Sequence, residues 1–536
     1  MSTPLHQTWS RRDFLQFIGQ TALTTALPVS FLGCSSAPLS SLPFKPIQPS
    51  TDDQLLLAEG FHSQILISWQ DALTPQLKFG FNNDYTAFFP FQPTTPDEGV
   101  LWVNHESVNP LFITGWASGQ VRQREDVIKE MKEVGGSLVH IVQKDGRWQV
   151  VKNSKFNRRL DAHTPIPFVS ARPIAGQKVA MGTLANCAGG VTPWGTLLTC
   201  EENYDNCYGE LNYSSGKATW KPGPDYIYWR DFFPTNSPEH YGWVVEVNPF
   251  TGAAKKLTAL GRFCHESATV VVARDGRSVV YSGDDHNDEC LYKFIATKPG
   301  SLEQGELFAA NIESGRWLPL NWNQQPLLQK HFKDQTEVLI RARDAAHLLG
   351  ASRLDRPEDV EIHPTTGAVF VTLTNNKDKK NYHGSILKIV EDQNDYLSMS
   401  FNASTFLTGG RGAQFTCPDN MVFDRRGNLW LTNDVSDQSL NRSKYKGFGN
   451  NSLFYIPMSG AHAGRVLRVA SAPVTAELTG PSFSPDGKTL FLSVQHPGEN
   501  SDDRLKPTSH WPLGGNNMPK PSVVTISGPA LDSLIA

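Results

Sequence analysis

At 536 residues the chain is far longer than the size at which core burial limits stability. Its 49 Lys and Arg against 53 Asp and Glu give a formal charge of −4, which argues against a nucleic-acid partner held by charge. Aromatics, Gly and Pro are plentiful and long helical patterns are scarce, which suits an all-β chain folding as one long unit.

The first element is a leader. Ser10-Arg11-Arg12-Asp13-Phe14-Leu15-Gln16 reads as a twin-arginine export signal. The apolar run at residues 17–32 is too short and too Thr-rich for a good membrane span. Phe31-Leu32-Gly33-Cys34-Ser35 has the form of a lipoprotein cleavage site, so a lipid on Cys34 is a possible anchor. The expected division is a signal over residues 1–34, a Ser/Pro-rich linker over 35–55 and a single domain over 56–536. The expected partners are the twin-arginine export machinery, a possible lipid anchor and small-molecule substrates, with no nucleic acid.

Next come β-hairpin signals, each a strand-forming run, a turn with Gly and a second run. In chain order the turns fall at Gly146, Gly252, Gly276, Gly367, Gly427 and Gly487. The last three are sixty residues apart. A hairpin recurring at such an interval predicts the blades of a β-propeller rather than a plain sandwich. Two insertions, at residues 228–243 and about 296–343, interrupt the pattern and are expected to cover one face. A closed propeller is expected to be a monomer.

Polar clusters flank the hairpins in phase. Before the first strand stand His265-Glu266, Arg356-Pro357-Glu358-Asp359 and Pro418-Asp419-Asn420. After the second stand Asp284-Asp285, Asn375-Asn376, Asn433-Asp434 and Gln495-His496. Trp102-Val103-Asn104-His105-Glu106 has the same strand-then-acid form. A hairpin brings its two ends together, so these clusters should converge around one axis. Pooled carboxylates are costly unless cations hold them.

The stretch "ANCAGGVTPWGTLLTCEENYDN", residues 185–206, adds Cys187 before two glycines, then Glu201 and Glu202. Oxygen donors suit calcium, and a thiolate suits a softer or redox metal such as iron. Cys187 is therefore the expected soft ligand of a mixed site. His265 and His496 are candidate ligands or partners that orient carboxylates. The chain has seven cysteines and no CxxC pair; Cys264, Cys290 and Cys417 read as small buried apolar residues. Cys200 and Cys207 are near enough in sequence to bridge, although spacing does not establish pairing.

The segments "NCAGGVTPWGTLLTCEEN", "RFCHESATV", "GDDHNDECLYKF", "RPEDVEIHP", "PDNMVFDRRGNLW" and "SPDGKTLFLSVQHPGE" occur in one order. Together they resemble the PhoX-type bacterial alkaline phosphatases. The resemblance implies a six-bladed β-propeller with Ca2+ and Fe3+ on its axis. It implies hydrolysis of phosphate monoesters in the periplasm or at the cell surface when phosphate is scarce. By the same resemblance, Cys187 binds iron. Glu201, Glu202, Glu266, Asp285, Glu358 and Asp419 are the implied cluster ligands, with Asn420 and His496 further metal candidates. Asp288, Glu289, Asp359 and Glu361 are alternatives for the same set. Arg356 is implied to contact the substrate phosphate, and Lys178 to be a second basic contact.

Chemistry narrows the mechanism. There is no GxSxG nucleophile motif, so the expected nucleophile is a metal-bound oxygen. Two rivals share the clusters. A calcium-dependent propeller lactonase or phosphotriesterase would use no thiolate. A non-catalytic calcium-binding propeller would turn over no ester. Cys187 and Arg356 favour the phosphatase.

Overall fold

The runs of Val, Ile, Phe and Tyr pair as mostly antiparallel strands, and in this computed structural model they make six sheets of four to six strands beside two two-stranded ribbons. Residues 42–92, 95–219 and 229–535 are described. The export signal and the lipoprotein site at Cys34 lie outside the described residues.

The six sheets are the blades of a propeller, numbered in chain order by their innermost strands. Blade one is Asn83–Pro90, Glu98–His105, Gly135–Lys144 and Arg147–Val150. Blade two is Asn186–Val191, Leu197–Glu201, Val244–Val247 and Ala254–Leu257. Its outer edge adds Pro165–Val169, which runs parallel, and Val179–Met181. Blade three is Thr269–Val272, Ser278–Gly283, Leu291–Ala296, Gly305–Asn311 and Arg316–Pro319. Blade four is Pro357–Ile362, Val369–Leu373, Ser385–Glu391 and Phe401–Thr408. Blade five is Pro418–Phe423, Leu429–Asn433, Ser452–Ile456 and Leu467–Ser471, and Leu56–Leu57 joins its outer edge. Blade six is Glu477–Phe483, Leu490–Gln495 and Ser522–Ser527, and His62–Ser68 completes it. The innermost strands neighbour one another around a closed ring, with blade six beside blade one.

The core lies between blades. Along Glu98–His105, Val100 and Trp102 pack toward Leu197 and Val245 of blade two. Leu101 and Val103 pack toward Phe491 and Val523 of blade six. Alternate residues thus face different neighbours, which is why these strands are apolar on both faces.

All six glycine turns are found, at two positions in the blades, and the expected linker needs correction. Gly276, Gly367, Gly427 and Gly487 turn the inner hairpins of blades three to six. Gly146 and Gly252 instead turn the hairpins between the third and fourth strands of blades one and two. The expected linker also ends earlier than residue 55. Phe44 is buried against Phe61, with ring centroids 5.2 Å apart, and the Asp53 carboxylate accepts hydrogen bonds from Ser509 and His510. The later insertion supplies the two outer strands of blade three and three short helices, Pro326–His331, Gln335–Ile340 and Ala342–Leu348. The six described cysteines are all free, Cys200 and Cys207 included. Among the described residues no helix is long and apolar enough to cross a membrane.

Candidate metal centre

One irregularity of strand pairing, repeated around the ring, builds the site. In blade one Asn83 pairs His105, but Thr86 pairs Val103, so the first strand carries one extra residue. The same slip follows Asn186–Glu201 in blade two, Pro357–Leu373 in blade four and Pro418–Asn433 in blade five. In blade three it falls between the His265–Asp284 bridge and the Thr269–Tyr281 pair. A bulge of this kind re-aims the side chain it carries. The residue after the last regular pair is Asp84, Cys187, Glu266, Glu358 or Asp419, and all five line one cavity.

The second strand makes a second ring. The residue following the paired one is Glu106, Glu202, Asp285 or Asp434, and these line the same cavity. Blade six contributes Glu477, Thr479 and Gln495. The cavity measures about 300 Å3 and gathers nine carboxyl groups and one thiol, with Arg356 beside them.

Alternation decides which of two adjacent acids enters. Glu202 faces the cavity, while the Glu201 carboxylate points between strands. There it accepts from Lys256 Nζ at 2.6 Å and from the Trp243 amide at 3.2 Å, with Glu201 and Lys256 fully buried. Asp285 faces in, while Asp284 is gripped by Arg343. Asp359 accepts from the amides of Val360 and Met421, so it ties blade four to blade five.

The thiol is placed by its surroundings. Asn104 Nδ2 donates to the carbonyls of Cys187 (2.5 Å) and Ala188 (2.9 Å). A Cβ on Gly189 would lie 2.4 Å from the Leu198 carbonyl, and one on Gly190 would lie 2.0 Å from the Ala268 carbonyl of blade three. The two glycines after Cys187 therefore admit close backbone approach on both sides. Cys187 Sγ donates to Glu266 Oε1 at 3.0 Å.

Arg356 has a positive φ of 54°, a strained conformation for a long side chain. Its Nε and Nη2 grip Asp285 with two bonds of 2.8 Å, and Nη2 lies 2.6 Å from Glu358. Although burial pushes Asp285 up, the guanidinium holds it below the usual carboxylate range. Elsewhere burial prevails. It raises Asp84 to about 8, with Glu106 adding to the effect. Burial and then Asp285 push Glu202 well up; burial and then Glu202 do the same to Glu266. Burial also lifts Glu358 despite Arg356. The Cys187 thiol is held well above its ordinary value by burial, then by Asp84 and Glu266.

These groups fit metal ions. Cys187 meets Asp84 and Glu106 in one group and Glu202 and Glu266 in another, ligand atoms within 4.8 Å of one another in each. Glu358 Oε2 is buried without a hydrogen-bond partner, an acceptor suited to a cation.

Of the residues singled out by sequence, the cavity brings together Cys187, Glu202, Glu266, Asp285, Glu358, Asp419 and Arg356. It does not bring Glu201, for the reason just given. Asn420 holds Asp419 Oδ1 (3.0 Å) and accepts from the Gly480 amide (2.8 Å), so it orients a wall residue from behind. His496 lies just outside, 3.4 Å from Glu477 and 3.3 Å from Glu499. Lys178 is exposed at the outer edge of blade two, where its carbonyl accepts from Phe168. Of the alternatives, Asp288 pairs with Lys379 and Glu289 with His347, and neither these nor Glu361 line the cavity. Asp84 and Glu477 were missed; an Asn-Asp before an alternating strand was the available signal for Asp84.

A profile described as alkaline phosphatase PhoX matches residues 42–498. The chain belongs to the PhoX alkaline phosphatase family. Among solved structures, Pseudomonas fluorescens PhoX in complex with vanadate, a transition-state analogue, is similar at TM-score 0.81 and 31% identity. That match covers 91% of this chain and 98% of the other. A calcium structure of a Trichoderma reesei enzyme of carbohydrate-active family AA12 reaches TM-score 0.40 at 10% identity, over 91% and 99%. A gluconolactonase from Xanthomonas campestris reaches 0.31 at 10%, over 87% and 98%. No curated protein sequence matches. As a PhoX phosphatase, the chain is a phosphoric monoester hydrolase on a six-bladed propeller.

Proposed function

We propose that this phosphatase crosses the membrane by the twin-arginine route, holds Ca2+ and Fe3+ in the axial cavity, and releases phosphate from esters for scavenging. The observation that supports it is the meeting of one thiol with carboxylates from all six blades. Cys187 with Glu202 and Glu266 suits iron, and the remaining oxygen donors suit calcium. Asp285, Glu358 and Asp419 belong to the proposed ligand set, joined by Asp84, Glu106, Asp434 and Glu477. When bound, such ions neutralise phosphoryl oxygens and lower the pKa of a water.

The chain's own residues do the positioning. Arg356 is held by Asp285 and Glu358 through Nε and Nη2, which leaves Nη1 for a phosphoryl oxygen. Asn104 fixes the Cys187 backbone, and Gln495 Nε2 holds Glu106 at 2.6 Å. The vanadate of the Pseudomonas fluorescens relative is a transition-state analogue, and the matching group here would occupy the cavity beside Arg356. The cavity suits a phosphoryl group. The adjoining groove of about 1000 Å3, lined by Ser107, Trp116 and His496 among others, gives the leaving alcohol room outside it.

The test is elemental analysis beside turnover of p-nitrophenyl phosphate. Cys187→Ala is expected to lose iron and more than about a hundredfold of activity while staying folded. A chelator should remove activity and calcium restore part of it. Normal hydrolysis by Cys187→Ala, or full activity without iron, rejects the assignment. For export, Arg11→Lys with Arg12→Lys should leave the activity inside the cell; unchanged export rejects the signal.

A further inference from the structure

The segment after Asp285 carries a second set of metal-type donors, none of which lines the central cavity. Glu289, Cys290 and His347 bring a carboxylate oxygen, a sulfur and an imidazole nitrogen within 4.8 Å of one another. Glu289 ends the short strand Asn287–Glu289. Cys290, fully buried, leads into the third strand of blade three. His347 comes from the last turn of the helix Ala342–Leu348.

The polar atoms at this spot are poorly served by the protein alone. Glu289 Oε2 and His347 Nε2 face each other at 3.0 Å as an ion pair that lacks good hydrogen-bond alignment. The Tyr292 hydroxyl, two residues after Cys290, is also buried and unpartnered. Leaving such atoms unsatisfied is costly, and a cluster of them points to a missing ligand. Charge points the same way. Arg343 is committed to Asp284 and approaches Glu289 only to 3.9 Å. Without an ion, Glu289 lifts His347 toward its charged form; a divalent cation would take the place of the His347 proton and of the Cys290 thiol proton and leave the group neutral.

We propose that Glu289, Cys290 and His347 form a second metal site, for a borderline divalent cation of the zinc type. Sulfur, imidazole and one carboxylate suit zinc and disfavour calcium. The bound ion would pin the helix Ala342–Leu348 to the loop that carries Asp285 and Asn287 to the cavity wall. Its three protein donors would leave the fourth position of a tetrahedral ion to water, and the site stands independently of the ions assigned to the axis.

The experiment uses the full chain with Cys187→Ser, so that the axial thiol is absent. The protein is stripped by a chelator and offered Co2+, then Zn2+. A thiolate-to-cobalt charge-transfer band is expected, together with a rise in Tm on adding zinc. Cys290→Ser in the same background should abolish the band. His347→Ala should weaken zinc binding by more than about tenfold. His347 is half-buried on a helix, so that variant keeps the test open if the Cys290 variant does not fold. A band that survives Cys290→Ser, or is absent from the Cys187→Ser protein, overturns the site. So does a His347→Ala variant that binds zinc normally or loses equal stability with and without zinc, the signature of an ion pair only.

Discussion

Buried acids occur in two regions of this molecule under opposite conditions. Away from the axis, Glu201 and Glu391 each have a base of their own. Glu201 meets Lys256 at 2.6 Å, and Glu391 meets Lys293 at 2.9 Å, with Trp317 and Tyr281 also donating to it. On the axis, nine carboxyl groups and a thiol share Arg356. The first region is balanced from within the chain. The second is balanced only when something from outside arrives, and its raised carboxyl pKa values record the shortfall. Acids paired at a blade interface therefore serve the fold, and acids left unpaired at a common axis serve the chemistry.

Substitutions that unbalance the first region should hurt folding most. Lys256→Met strands the Glu201 carboxylate and should cost about 3–5 kcal/mol, measured by urea denaturation with chelator present. A loss below about 1 kcal/mol would mean that Glu201 is not held by Lys256 alone. The pH response separates the regions next. Asp84 is raised from 3.8 to about 8, so between those values the folded, metal-free protein binds more protons than the unfolded chain. Its stability should fall as pH rises through that window, the sign set by the excess protons of the folded state. Added calcium should flatten the slope by holding the acids ionised. A metal-free protein that gains stability as pH rises from about 5 to about 8 would break the comparison. The smallest effect belongs to neither region. Lys178→Ala, on an exposed edge, should change stability by no more than about 0.5 kcal/mol and turnover by less than about twofold. A tenfold loss of turnover would return Lys178 to the site.

Much of this was legible in the sequence. The blade count followed from the resemblance and the hairpin rhythm from Gly367, Gly427 and Gly487. Clusters in phase with the hairpins led to Glu266, Asp285, Glu358 and Asp419. What a sequence does not display is the extra residue in each inner strand, which aims Asp84, Glu266, Glu358 and Asp419 inward, nor the pairing that sets the alternation of the second strands. Without it Glu201 and Glu202 look equivalent, as do Asp284 and Asp285. With it, one of each pair turns to a base, Lys256 or Arg343, and the other toward the axis. Lys178 and Asn420 failed for a related reason: nearness to a motif does not fix where a side chain points. Glu477 was missed because it sits three residues ahead of Gly480, which holds the phase position of the other five blades.

The joining of His62–Ser68 to Ser522–Ser527 has a temporal consequence. These strands complete the sheet whose inner edge presents Glu477 and Thr479 to the axis. Until Ser522–Ser527 has been made, that sheet has an open seam and the ring cannot lock. Ions captured then would sit in an unfinished socket, so durable loading must wait for that strand. A chain shortened before Ser522 should accordingly behave as a loose, leaky vessel for metal even though every proposed ligand is present.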